Sequence, residues 1–158
     1  MQSTLDFNFK RKEFKMVDFT NLLSKSADNV ERPEPLPQGS YVTTITAYRT
    51  IESGQKKTPG VEFDLQIFAP GEDINMEEYA KVKNPQERVL KTQFWLTEDS
   101  MFRLKEFLEK AGFETAGRTF ADMLAEVAGH QIIAIVSHRI GQDGESVFPE
   151  AKRFMKVA

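Results

Sequence analysis

Lys91 and Trp95 lie four residues apart in RVLKTQFWL (88–96), a run that alternates apolar and polar residues. On an extended strand, positions 91, 93 and 95 share one face. An ammonium group and an indole on one exposed face suit a single-stranded nucleic acid. The cation meets a phosphate and the ring stacks on a base, at ~1–3 kcal/mol per stacked base. Tyr48 and Phe68 are weaker stacking candidates. Lys56 and Lys57 sit in SGQKKTPG (53–60), where flanking glycines allow a backbone to come close. Arg139, Lys152, Arg153 and Lys156 gather in the last two strand-like runs. The candidate binding set is therefore Tyr48, Lys56, Lys57, Lys91, Trp95, Arg139, Lys152, Arg153 and Lys156. Trp95 has a competing reading as a packing residue. The C-terminal cations have one as a solvated edge that discourages strand pairing. Glu62 and Asp64 oppose phosphate on the second strand. A bound strand would then follow strands one, three and five, unless these acids face the helix end.

Catalysis finds little to stand on. The chain has no Cys and only two His, His130 and His138, which excludes thiolate sites and a three-His zinc centre. It contains no nucleophile elbow, phosphate-binding loop, dinucleotide fingerprint or HExxH. His130 follows Gly129 and reads as a residue touching terminal helix carbonyls. His138 reads as packing at a barrel end. Glu72, Asp73, Glu77 and Glu78 crowd one loop, but their spacing fits no cation motif and reads as a solvated acidic surface. The expectation is a protein that is not an enzyme, with no catalytic residue, no metal and no cofactor.

The 158 residues suffice for one ordinary domain, or one domain with a tail. With 21 Lys and Arg against 24 Asp and Glu, the net charge of −3 excludes a histone-like polycation. Local basic stripes can still bind anions on an acidic protein. No apolar stretch approaches the length of a membrane span, and the N-terminus lacks the apolar core of a secretory signal. The expectation is a soluble cytoplasmic protein.

The elements that must position these groups read off in order. Residues 1–15 form a basic, Phe-bearing leader. Lys10, Arg11, Lys12 and Lys15 outweigh Asp6 and Glu13, and Met16 could be a second start. The leader reads as flexible or as an arm that touches nucleic acid. DFTNLLSK (18–25) could form one or two helical turns. SADNVERPEPLPQ (26–38) reads as an extended linker with three prolines. The domain is expected to begin at Gly39, with 1–38 as arm and linker and 39–158 as the folded part. Ser40–Glu52 alternates as a strand, with Tyr41, Thr43, Ile45 and Ala47 on one face and Val42, Thr44, Thr46 and Tyr48 on the other. VEFDLQI (61–67) is strand two, and a long loop of Ala69–Glu87 leads to strand three at 88–96. A helix capped by Thr97 stops at Gly112. A shorter one is capped by Thr119 and stops at Gly129. QIIAIVSHR (131–139) is a central strand, GQDG (141–144) a hairpin turn, and 146–157 the last strand, with Pro149 marking an edge or bulge. The order β-β-β-α(α)-β-β predicts a mainly β fold. It is that of a five-stranded OB-fold-like Greek-key barrel, with a helix and a short second helix between strands three and four.

These residues together resemble the phage-encoded OB-fold single-stranded-DNA-binding proteins. The likeness is carried by Asp18-Phe19-Thr20, by Pro37-Gln38-Gly39-Ser40-Tyr41, and by VEFDLQIF (61–68) and RVLKTQFWLT (88–97). RLKEFLEKAG (103–112) and IIAIVSHR (132–139) extend it. It covers about residues 17–157. It implies non-sequence-specific binding of single-stranded DNA in phage DNA replication or recombination, in the host cytoplasm. Phage replication or recombination proteins, and further copies of the chain, are implied as partners. The chain departs from the pattern in ending AKRFMKVA, which is basic, so recruitment through an acidic tail does not carry over. The competing function is a protein-interaction or structural module without DNA affinity.

Overall fold

The computed structural model describes residues 20–24, 26–27 and 32–157. The leader, Asp18, Phe19 and Lys25 lie outside the described residues. Contacts divide the chain into two units, between Pro33 and Glu34. In the first unit residues 20–23 are helical, and the Ser24 hydroxyl donates to the Asn21 carbonyl at 2.8 Å.

The second unit is built on alternation. β-Branched and aromatic residues at every other position produce β1 (Gly39–Glu52), β2 (Pro59–Pro70), β3 (Val89–Trp95), β4 (Gln131–Ile140) and β5 (Val147–Met155). They form one antiparallel open sheet in the order β3-β2-β1-β4-β5. The apolar run in β4 places it between β1 and β5, as its composition predicts. β5 lies at the end of the order, with Pro149 opposite His138. Pro149 has no N–H to contribute to a ladder, which suits an edge.

Two helices connect β3 to β4. α2 (Met101–Lys110) buries Leu104, Phe107 and Leu108 against the sheet. Its N-cap is Ser100 rather than the expected Thr97, whose carbonyl instead accepts from the Ser100 and Met101 amides in a preceding turn. Gly112 stops it at φ 101°, a conformation that favours glycine. α3 (Phe120–Ala125) starts as predicted: the Thr119 side chain accepts from the Asp122 amide at 3.1 Å. The long β2–β3 loop is not featureless. It holds α1 (Met76–Tyr79), capped by Asn75, and a 3₁₀ turn at Pro85–Glu87. Ile74 and Val82 bury in the core, and Asp73 accepts from the Ser40 amide and hydroxyl. The loop is thereby tied to the start of β1.

The core sits on one face of the sheet, where the alternating buried residues of β1, β2 and β3 gather. Phe107 is 2 % exposed, and its ring centroid lies 4.8 Å from Phe63, 4.9 Å from Phe94 and 5.0 Å from Phe154. Because Phe94 is on β3 and Phe154 on β5, this cluster draws the two ends of the sheet order together. Residues 34–38, expected as linker, pack with the sheet. Leu36 is 1 % exposed, His138 Nε2 lies 2.6 Å from the Leu36 carbonyl, and the Tyr41 hydroxyl donates to the Pro37 carbonyl at 2.6 Å. Burial, with Tyr79 nearby, pushes the Tyr41 hydroxyl well above the usual tyrosine range.

Candidate nucleic-acid interface

Alternation assigns each outward side chain until a bulge intervenes, and three bulges shape this surface. On β1, Ile45 pairs with Leu65 but Ala47 pairs with Asp64, so Thr46 is extra. The face reverses beyond it. Tyr48 joins the side of Phe63, at a ring separation of 6.5 Å, and Arg49 turns outward opposite Glu62. This corrects the expected grouping of Tyr48 with Val42 and Thr44. On β2 the extra residue is Phe68, which is exposed. On β5, Ala151 pairs with Val136 and Arg153 with Ile135, so Lys152 is extra. Ala151 and Phe154 can then both face the core, and Lys152 and Arg153 are both exposed between them. Bulges that re-aim side chains in this way are common beside binding sites.

β3 has no bulge, and Val89, Lys91, Gln93 and Trp95 all leave its outer side. Trp95 is half-buried. It pairs with Gly60, where a Cβ would lie only 2.7 Å from the indole Cε3. Gly60 therefore makes room for the ring, part of whose surface stays open. The two readings of Trp95 meet here: it packs, but on the outer face of the sheet rather than in the core.

Lys91, Gln93 and Trp95 line a groove of about 470 Å³. Glu150 and Lys152 of β5, Ser100 and Arg103, and the rings of Phe94 and Phe154 line it as well. A second groove of about 500 Å³ shares Phe94, Arg103, Lys152 and Phe154 and continues between α2 and β5. It adds Lys110 and Arg153, with Phe102 standing 52 % exposed beside Arg103.

Among the described residues, neither Lys91 nor Arg103 is engaged in a salt bridge. The groove's acids are engaged. Glu62 is bound by Arg49 and accepts from Gln93 Nε2 at 2.8 Å. Gln93 first, and then Arg49, hold its carboxyl below the usual glutamate range. Glu150 accepts from Arg139 Nε at 2.5 Å, with Lys152 Nζ at 3.4 Å, and Arg139 foremost lowers its carboxyl in the same direction. The arrangement leaves cations available to an anion while its carboxylates are already neutralised in part.

The structure thus brings Lys91, Trp95 and Lys152 into one groove and Arg153 into its continuation. Lys156 lines a shallower depression with Glu106, Glu109 and Lys110. Lys56 and Lys57 lie exposed in the β1–β2 turn, with Lys57 in the left-handed region at φ 52°. Arg139 stacks over Phe148 at 4.8 Å and serves Glu150. Tyr48 remains 40 % exposed on the other side of β1 from Arg49. Arg103, Phe102 and Arg49 are absent from the sequence-derived set. Helical spacing shows Phe102 and Arg103 off the apolar stripe of α2 but not which strand edge they overlook. His130 does touch a terminal helix carbonyl, that of Ala111 at 3.0 Å, which belongs to α2 rather than the helix preceding it, and its ring stacks on Phe113 at 4.1 Å. Among the described residues, no group of three His, Asp or Glu is placed to hold a metal ion, and no helix is long and apolar enough to cross a membrane.

Compared with known proteins, the chain matches no family model and none of the curated proteins searched.

Proposed function

We propose that this protein binds single-stranded DNA without sequence preference, in the groove between β3 and β5. The carrying observation is the grouping of Lys91, Arg103 and Lys152 with a half-open Trp95 in one groove that Phe94 and Phe154 also line, with the nearby carboxylates already paired. Phosphates ride on the three cations and a base stacks on the indole. Phe102 offers a second aromatic surface farther along. Such contacts read no base edge, so binding is indifferent to sequence.

The strand order β3-β2-β1-β4-β5 and the helix between β3 and β4 support assigning the sheet to the OB-fold, whose sheet face and loops bind oligonucleotides. With the resemblance, this extends the proposal to a non-enzymatic role in phage DNA replication or recombination in the host cytoplasm. The test is fluorescence anisotropy with labelled dT oligonucleotides and a matched duplex across a salt series. Submicromolar single-strand binding that weakens with salt, with far weaker duplex binding, is expected. No binding at low salt refutes the proposal and leaves a protein-interaction module.

A further inference from the structure

Glu62 and Asp64 stand outward on β2 beside the groove, where bare carboxylates would repel a nucleic-acid backbone. The Thr46 bulge puts Arg49 opposite them. One guanidinium nitrogen, Nη1, binds Glu62, and the other, Nη2, binds Asp64 Oδ2 at 2.5 Å. The two carboxylate side chains are 13 % and 18 % exposed. Asp64 Oδ1 is buried with no hydrogen-bond partner, so the carboxylate depends on Arg49 for its main compensation. The triad of one cation and two anions carries −1. Lys91, which lies opposite Asp64 in the β2–β3 register, faces it from the groove side.

We infer that Arg49 is a positioning residue whose charge tunes the groove for a polyanion, an inference that rests on the nucleic-acid reading above. Glu62 and Asp64 keep phosphates off the outer face of β1 and β2 and hold the backbone to the β3–β5 side. Arg49 limits their repulsion to one net charge, so that Lys91 remains attractive to phosphate. Arg49 acts through the two acids and makes no contact with the ligand.

This makes affinity a function of triad charge, whichever residue sets it. Arg49→Gln gives −2, the wild type −1, the triple variant Arg49→Gln/Glu62→Gln/Asp64→Asn gives 0, and Glu62→Gln/Asp64→Asn gives +1. Across neighbouring strands, at about 8 Å and in a largely aqueous environment, each unit of charge changes affinity about two- to threefold. Over its three units of charge the series spans about 8- to 27-fold, and it contracts above about 0.5 M salt as screening shortens the range.

The experiment measures dT-oligonucleotide affinity of all four proteins by anisotropy at low and high salt, with thermal melting of each. Affinity that rises in the order given, with the triple variant above Arg49→Gln despite lacking the same arginine, supports the inference. A triple variant that binds no better than Arg49→Gln overturns it, because Arg49 then touches the ligand itself. Equal affinities with altered melting also overturn it, because Arg49 then merely ties β1 to β2. If Arg49→Gln does not fold, Glu62→Gln alone raises the charge to 0 and must tighten binding; unchanged affinity there is equally fatal. A wild type that binds no oligonucleotide at all overturns the nucleic-acid reading and takes the inference with it, a result distinct from both others.

Discussion

Replacing Trp95 by Ala separates the role of the indole in the groove from its role in packing. The ring rests on Gly60 at the outer face and is half-buried. A tryptophan covers about 150–250 Å². Taking about 100 Å² as the apolar area lost here, at about 25 cal/mol per Å², gives about 2.5 kcal/mol of stability. For a unit of this size that lowers Tm by about 10 °C. A folded protein remains, because domains of this kind hold ~5–15 kcal/mol. Binding suffers separately: losing one base stack of ~1–3 kcal/mol weakens affinity about 5- to 150-fold. The assay is paired, with anisotropy on a dT oligonucleotide well below the lowered Tm and a thermal melt by circular dichroism. The expected outcome is a cooperative melt shifted downward together with a clear loss of affinity. Unchanged affinity refutes the stacking role. Loss of the melting transition refutes the placement of Trp95 outside the core.

Three further outcomes follow from the same geometry. Lys152→Ala should weaken single-strand binding and reduce the slope of log affinity against log salt by about 0.7, the share of one phosphate contact; an unchanged slope removes Lys152 from the phosphate track. Phe107→Ala should cost about 3–5 kcal/mol in denaturant unfolding, since its ring joins Phe63, Phe94 and Phe154, and a loss below ~1 kcal/mol would contradict that cluster. Glu62 and Glu150 titrate below the ordinary glutamate value of 4.5 in the folded protein. Their contribution to stability is therefore complete above that pH and is lost as pH falls through their folded values. Chemical-denaturation midpoints measured from pH 6 down to pH 3 should decline, and less steeply in Glu62→Gln; parallel curves would contradict the network around Arg49.

Local signals were legible wherever the controlling physics is local. Thr119 caps α3 because a side-chain oxygen within three residues of an open amide needs no partner elsewhere. Gly112 stops α2 at positive φ, which is a property of the residue itself, whereas α3 ends at Ala125 with Glu126 as its C-cap, short of the expected stop at Gly129. β4 reads as central from its apolar run alone, since a strand flanked by β1 and β5 and covered on one side by the core has little polar demand. Thr97 was misread as a cap because the turn at Thr97–Ser100 is as compatible with its neighbours as a helix start, and only the packing of Leu104 and Phe107 selects Ser100. Leu36 was read as linker because proline spacing carries no trace of the pocket that receives it.

The amino-acid order by itself determined the five strands, the helices between the third and fourth, and the presence of Lys91 and Trp95 on one face. Each follows from side-chain periodicity or from residue-intrinsic dihedral preference. Tertiary structure alone decided the groove. The bulges at Thr46 and Lys152 arise from mismatched registers between strands, and a register is a property of two strands at once. They turn Arg49 toward Glu62 and Asp64 and expose Lys152 beside Arg153. Arg103 reaches the same place only because the Phe94–Phe107–Phe154 cluster seats α2 where β3 and β5 come together. No spacing along the chain encodes that meeting, since it joins three elements through burial rather than through sequence.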